Sequence, residues 1–333
     1  MTAAVGHPSA PGAVDLLTFG ESMVSLRSAG PLSAGGALGM HVAGAESNVA
    51  VGVARLGHSV TWAGVVGADP HGEFILRQLR AEGVRLEHRA DASRRTGLMF
   101  LEQRTADVTR AFYYRSGSAG STLCPEDVEP ALHAGARILH LTGITAALSP
   151  ESRKAVEYAA EQAAGAGAVV SIDVNYRSKL WSREEARKVL APLLRHASIV
   201  IASDDELGLV AAGTDGAPGA DPGESAMVAE ILGLGVREVV VKRGAAGASV
   251  HTAEGRWDVP AVPVTSIDTI GAGDAFTAGY LSALLDGADV PGRLERGALT
   301  GAFAVSTAGD WEGLPNRSEL ALLGTTPSGT TQR

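Results

Sequence analysis

Two alternating periods constrain this chain more than any other feature. Short apolar runs at residues 15–20, 59–66, 138–141, 169–173, 199–202 and 238–242 are interleaved with longer Ala-, Leu- and Arg-rich segments of helical period at 47–56, 72–82, 150–164, 182–195 and 274–285. Continuous apolar runs of this length read as strands buried on both faces, and the helices between them supply the cover. The alternation predicts an α/β fold around a mostly parallel sheet. Two helix starts are written out: Ser149 precedes Pro150 at a first helical position, and Ser182 with Glu185 has capping-box spacing. Two stretches, 23–42 and 96–114, break the rhythm with extended pieces and no crossover helix. They predict a small β appendage over the sheet, with lid segments at about 21–43 and 94–120. Aperiodic segments at 1–13 and 323–333 read as loose tails around one folded unit, 14–322.

Charge and cysteine usage narrow the partners. A net charge of −9 argues against nucleic acid or an anionic membrane as the main partner but leaves room for local anion sites. The single cysteine, Cys124, has no intramolecular disulfide partner, and no charged leader followed by an apolar core is present, so the expected compartment is the cytoplasm. No apolar run approaches the roughly 20 residues a membrane helix needs, which predicts a soluble protein.

The chemistry concentrates in Asp268-Thr269-Ile270-Gly271-Ala272-Gly273-Asp274-Ala275-Phe276, which runs into the last helical segment. A glycine-rich turn that opens a helix leaves backbone N–H groups unpaired and aimed outward at the positive end of the helix dipole, which makes an anion hole of Gly271, Ala272 and Gly273. A carboxylate beside that hole repels the phosphate the hole attracts, so Asp274 makes sense as a group that takes a proton. Phosphoryl transfer needs this combination of charge stabilisation and a base for the attacking hydroxyl. A bare glycine turn with Asp274 as an ordinary first-turn residue is the plainer alternative. Rival nucleotide motifs fail on inspection: no Gly-Lys pair exists for a Walker-type loop, and the first strand ends in Phe19-Gly20-Glu21-Ser22 without a dinucleotide fingerprint. None of the nine histidines has zinc-ligand spacing.

Together with Gly44-Ala45-Glu46-Ser47-Asn48-Val49-Ala50, more than 200 residues upstream, the segment 268–276 resembles the two signatures of the ribokinase-like (PfkB) carbohydrate kinases. The resemblance implies a three-layer α/β/α domain with a small β-sheet lid, ATP and Mg²⁺ as cosubstrates, and the base at Asp274. Within that family, residues 112–120 and Asp173-Val174-Asn175-Tyr176-Arg177 resemble 2-keto-3-deoxygluconate kinases. This implies that Gly44 and Asn48 hold sugar hydroxyls and that Tyr113, Arg115 and Arg177 hold the acid end or neighbouring oxygens. A guanidinium fork suits a carboxylate. Taken singly, Arg115 reads equally as a solvated lid residue and Arg177 as a surface ion pair. On the nucleotide side the resemblance implies Asn175, Ser203, Lys242, Gly244 and Gly247, with Glu206 in the Mg²⁺ and phosphate network. Ser203 departs from the family's asparagine, and Ser203 with Glu206 also fits a capping box. Asp268 either organises a monovalent-cation loop or caps the turn.

The expected activity is ATP-dependent phosphorylation of 2-keto-3-deoxygluconate on its terminal hydroxyl. The alternatives are a kinase for a neutral sugar such as fructose or ribose, a kinase for another deoxy-keto acid, a non-catalytic sugar-binding regulator, and a nicotinamide oxidoreductase. The open edge of a lid sheet suggests a homodimer through that edge.

Overall fold

The computed structural model describes residues 13–105, 108–211 and 223–325, and the expected tails at 1–13 and 323–333 lie almost wholly outside that range. The chain runs β1 (Val14–Phe19), β2 (Met23–Ser28), β3 (Gly39–Ala43), α1 (Ala45–Arg55), β4 (Val60–Gly67), α2 (Pro70–Ala81), β5 (Arg85–Asp91), β6 (Leu98–Thr105) and β7 (Val108–Tyr114). It continues with α3 (Pro125–Ala134), β8 (Ala136–Thr142), α4 (Gly143–Leu148), α5 (Pro150–Gly165), β9 (Val169–Asp173), α6 (Arg183–Leu193), β10 (Ile199–Ser203) and α7 (Glu224–Gly233). The last elements are β11 (Glu238–Lys242), β12 (Ala248–Thr252), β13 (Gly255–Val259), α8 (Ala272–Leu285), α9 (Val290–Val305) and the short α10 (Leu322–Thr325).

Nine strands form one sheet in the order β13-β12-β11-β10-β9-β8-β1-β4-β5, parallel except where β12 runs against β11 and β13. Successive strand residues feed opposite cores. Leu16, Ile138, Ile201 and Val240 pack under α1, α2, α8 and α9, whereas Leu17, Leu139, Val200 and Val241 pack under α3, α5, α6 and α7. Both faces are dry, which explains the unbroken apolar strand runs and gives the expected three layers. Ser149 accepts the Ser152 N–H at 3.0 Å, and Ser182 and Glu185 close the expected reciprocal capping box.

Several elements escaped the sequence pattern, among them α3, α4, α7 and α10, and those at the sheet edges and over α8 show why. β5 carries Arg85, Glu87, His88 and Arg89 because it is an edge strand paired only with β4, where charges block further pairing. β12 and β13 form a hairpin at the other edge. α9 is interrupted by Gly292, Gly297 and Gly301, yet it packs hard on α8, where a Cβ on Gly279 would lie 2.7 Å from the Arg296 carbonyl oxygen and one on Gly297 3.0 Å from the Phe276 ring. Gly279 and Gly297 serve close helix approach, not turning.

A second, four-stranded sheet has the order β3-β2-β6-β7, in which β2 and β6 pair in parallel because they come from separate excursions of the chain. Residues in register share a face, so Arg27, Met99, Leu101, Ala111 and Tyr113 lie together. That face packs through Ala43, Met99 and Leu101 against Ile270, so the small sheet spans the carboxyl ends of the large one.

A buried ionic knot ties the last third of the fold together. Glu238 of β11 accepts from Arg293 of α9 at 2.5 Å and from the Tyr280 hydroxyl of α8 at 2.5 Å. Removing one member strands a buried charge, so Glu238→Ala is expected to cost about 3–5 kcal/mol, read as a lowered denaturation midpoint. A midpoint equal to that of the wild type refutes the assignment.

Candidate active site

The chain starts in the middle of the large sheet, builds β4 and β5 on one side, then returns to β8 and proceeds outward on the other, so the winding reverses between β1 and β8. Carboxyl ends at such a reversal leave a crevice. The ends of β1, β8, β9 and β11 converge there with the start of α1 and α8.

α8 begins where Gly271 takes a left-handed φ of 75°, a conformation that glycine adopts without strain. The same residue lies against the next segment, since a Cβ on Gly271 would come within 2.3 Å of the Asp310 carbonyl oxygen. No side chain caps α8, so the N–H groups of Gly273 and Asp274 stay available to an anion, while that of Ala272 leans to the Thr269 carbonyl at 3.4 Å. The Lys242 ammonium lies 3.5 Å from where a Cβ on Gly273 would be, which puts a cation beside the same turn.

Asp274 stands in the first turn of α8, half-buried, and accepts from Asn48 Nδ2 at 2.8 Å and, more distantly, from Asn175 Nδ2 at 3.4 Å. Asn175 is held at φ 40°, a region few non-glycine residues occupy, and its amide faces the carboxylate as a result. Burial raises the Asp274 carboxyl to about 7; the hydrogen bond from Asn48 opposes the shift, the charge of Asp173 adds to it, and Arg177 and Lys242 pull it back. Asp173, at the end of β9, holds Lys242 Nζ at 2.6 Å and accepts from Thr277 Oγ1 at 3.2 Å. Asp173 is thus tied to the lysine beside the turn and also acts on Asp274, a link sequence reasoning missed even though Asp173 stood in a quoted segment.

On the acceptor side, Gly44 caps the start of α1, and a Cβ there would come 2.7 Å from the Glu21 carbonyl oxygen, so only glycine fits the approach of β1's exit. Asn48 lies one turn on. Arg177 is exposed at the end of β9, donates to the Tyr176 carbonyl at 3.0 Å, and among the described residues makes no ion-pair contact. Arg115 is not solvated, as the plainer reading had it, but forms an ion pair with Glu21 at 2.5 Å whose carboxylate also accepts from Ser118. Tyr113 lies on the inner face of the small sheet with Lys179 Nζ 5.3 Å from its ring centre, and Lys179 also donates to the Ala111 carbonyl at 3.0 Å. Glu21 and Lys179 gave no motif signal, because their importance comes from which loops meet.

The nucleotide-side candidates divide. Glu206 is buried and accepts the backbone N–H groups of Tyr176 at 2.7 Å and Ser203 at 2.8 Å, fastening the ends of β9 and β10 together. Ser203 Oγ turns to Asp205 at 2.6 Å, so half of the capping box forms and the reciprocal half does not. Gly244 and Gly247 make the hairpin turn between β11 and β12. Gly247, at φ 91°, lies where a Cβ would overlap the Val259 carbonyl oxygen at 2.0 Å, whereas Gly244 faces open space. Asp268 accepts the Ile270 N–H at 3.0 Å, which is the turn-capping alternative, and pairs with Arg27 at 2.6 Å. Among the described residues no cluster of three or more His, Cys, Asp or Glu side chains suits a metal ion, and no helix is long and apolar enough to cross a membrane.

The crevice, the uncapped helix and the carboxylate beside it fit a phosphotransferase acting on an alcohol. Residues 14–317 match the family described as pfkB family carbohydrate kinase, and the chain belongs to that family and is a carbohydrate kinase. It is similar to the 2-dehydro-3-deoxygluconokinase of Bacillus subtilis (strain 168), 33% identical over 92% of this chain and 94% of that protein. A 2-dehydro-3-deoxygalactonokinase of Haloferax volcanii is 32% identical over 89% of this chain and 92% of its own length. Among solved structures, a PfkB protein from Polaromonas sp. JS666 is 36% identical over 92% of this chain and 99% of that one, with a TM-score of 0.81. A putative ribokinase II from E. coli in complex with ATP and Mg²⁺ is 26% identical over 92% of this chain and 98% of that one, with a TM-score of 0.84.

The balance of charges around Asp274 is testable without any substrate. Carbon-detected NMR titration should place its carboxyl near 7, and Asp173→Asn should lower that midpoint, because a neighbouring negative charge is removed while Lys242 is left to favour the ionised form. A midpoint that Asp173→Asn leaves unmoved removes Asp173 from the account.

Proposed function

We propose that the chain transfers the γ-phosphoryl group of ATP to the terminal hydroxyl of 2-dehydro-3-deoxygluconate, giving the 6-phosphate and ADP. The observation that carries this reading is the pairing of an uncapped helix start with a carboxylate of near-neutral affinity for protons, one residue beyond Gly273. Asp274 takes the hydroxyl proton as the substrate oxygen forms its bond to phosphorus and the bond to the ADP oxygen breaks. The amides of the turn at Gly271, Ala272 and Gly273 and the ammonium of Lys242 take up the charge of the moving group. Asn48 and Asn175 hold the carboxylate in place.

The turn would hold the terminal phosphates of ATP, and Mg²⁺ would supply charge neutralisation on those phosphates, with Glu206 fastening the nearby ends of β9 and β10. On the acid end, Arg177 makes no ion pair among the described residues and suits the substrate carboxylate, with Tyr113 on the facing sheet, while Arg115 lies paired with Glu21. Gly44 leaves room for the sugar. The similarity to the Haloferax volcanii enzyme supports the C4 epimer as a second substrate.

A coupled ADP-release assay over keto-deoxy sugar acids and neutral sugars tests the substrate class. The sugar acids should be preferred, and Asp274→Asn should lower kcat by about a hundredfold to ten-thousandfold. Arg177→Ala should raise KM for the acids by about tenfold and leave poor neutral substrates unchanged. Preference for fructose or ribose overturns the sugar-acid reading. In the wild type, kcat/KM should climb with pH to a plateau above about 7, because the raised carboxyl is protonated and useless as a base below it. A flat acid limb contradicts Asp274 as the base.

A further inference from the structure

Two carboxylates flank the glycine turn, and both face the small sheet. Asp268 precedes Gly271 by three residues and holds the Ile270 N–H at 3.0 Å, and the Asp310 backbone lies directly against Gly271. Arg27 of β2 stands between them, with Nη1 donating to Asp268 at 2.6 Å and Nη2 to Asp310 at 2.9 Å. The three side chains are 17%, 11% and 4% exposed, so this is an interior bridge and not a surface pair. Two buried carboxylates at this spacing repel one another unless a cation joins them. The planar fork of arginine offers one arm to each, and Arg27 Nε has no other partner among the described residues.

We propose that Arg27 is a positioning residue for phosphoryl transfer: its guanidinium is the tethered cation that joins Asp268 to Asp310, by which the small sheet clamps the glycine turn in its phosphate-binding shape. The proposal deepens the kinase reading and rests on it for its kinetic arm. It also replaces the cation-loop alternative at Asp268. With Oδ1 on Ile270 and Oδ2 on Arg27, a free monovalent ion there has to displace one that is covalently attached. Activity is therefore independent of potassium or sodium.

The test uses the full chain, with choline as the sole monovalent cation, and compares wild type, Arg27→Ala and Arg27→Lys. Exchanging choline for potassium should change the wild-type kcat by less than about twofold, whereas Arg27→Ala should lose about tenfold to a hundredfold in kcat with KM for the alcohol little altered. Guanidinium chloride below denaturing concentration should restore part of the alanine variant's rate, an effect that a merely structural loss does not show. Arg27→Lys keeps a charge and should fall between the two, and it carries the test if the alanine chain does not fold. A folded Arg27→Ala chain with kcat within about twofold of wild type, a loss no cation restores, or a wild type that requires potassium overturns the proposal. A wild type inactive on every alcohol strikes the kinase reading instead. Calorimetric affinity for a non-hydrolysable ATP analogue with magnesium then decides the Arg27 question, with about tenfold weaker binding in Arg27→Ala expected and unchanged binding against it.

Discussion

The carboxylate of Asp274 lies at the positive end of α8, where the helix dipole favours its charge and the surrounding protein disfavours it. A dipole at a helix start contributes about 0.3–1 kcal/mol, less than burial costs an ionised carboxyl. Burial therefore prevails, and the group titrates near neutrality instead of near 4. Asp173 adds to the shift, while Asn48, Lys242 and Arg177 limit it. A carboxylate fully stabilised as an anion is a weak base, and one left neutral is none. The neighbours hold Asp274 between those limits.

That balance depends on the sheet. The reversal between β1 and β8 leaves strand ends open to a ligand, and β9 and β11 deliver Asp173, Asn175 and Lys242 from rigid elements to the start of α8. The small sheet is fastened on both faces: Val24 and Val42, with Leu26 and Leu98 against them, join the core under α1, α2, α8 and α9, and Ala43, Met99 and Leu101 pack on Ile270. Polar ties add to this: Arg115 to Glu21, His41 to Glu312 at 2.6 Å, Lys179 to the Ala111 carbonyl, and Arg27 to two carboxylates. The polar ties can be exchanged for water or ligand more readily than the packed contacts.

The six core strands and the α8 turn were legible in the sequence because each is fixed by local pattern: continuous apolar runs between two helical layers, and a glycine sequence leading into a helix. β5 and α9 were obscure because their residues answer to tertiary position, with charges on a sheet edge in one and glycines for helix contact in the other. Asp274, Asn48 and Asn175 were found from motifs, and they meet. Nothing local announces that Arg115 pairs with Glu21, more than 90 residues away. Arg27 and Asp310 gave no signal at all, since their relation spans 283 residues. Local spacing reveals a turn or a cap, but not which loops the fold brings together.

The central claim is that phosphate and acceptor meet at the start of α8. A crystal structure of the full chain with magnesium, a non-hydrolysable ATP analogue and the keto-deoxy sugar acid tests it most directly. The account predicts the γ-phosphate against the amides of Gly271 to Gly273, with the terminal hydroxyl about 2.6–3.2 Å from an Asp274 carboxylate oxygen. A terminal phosphate bound elsewhere, or an Asp274 carboxylate facing no hydroxyl, contradicts it.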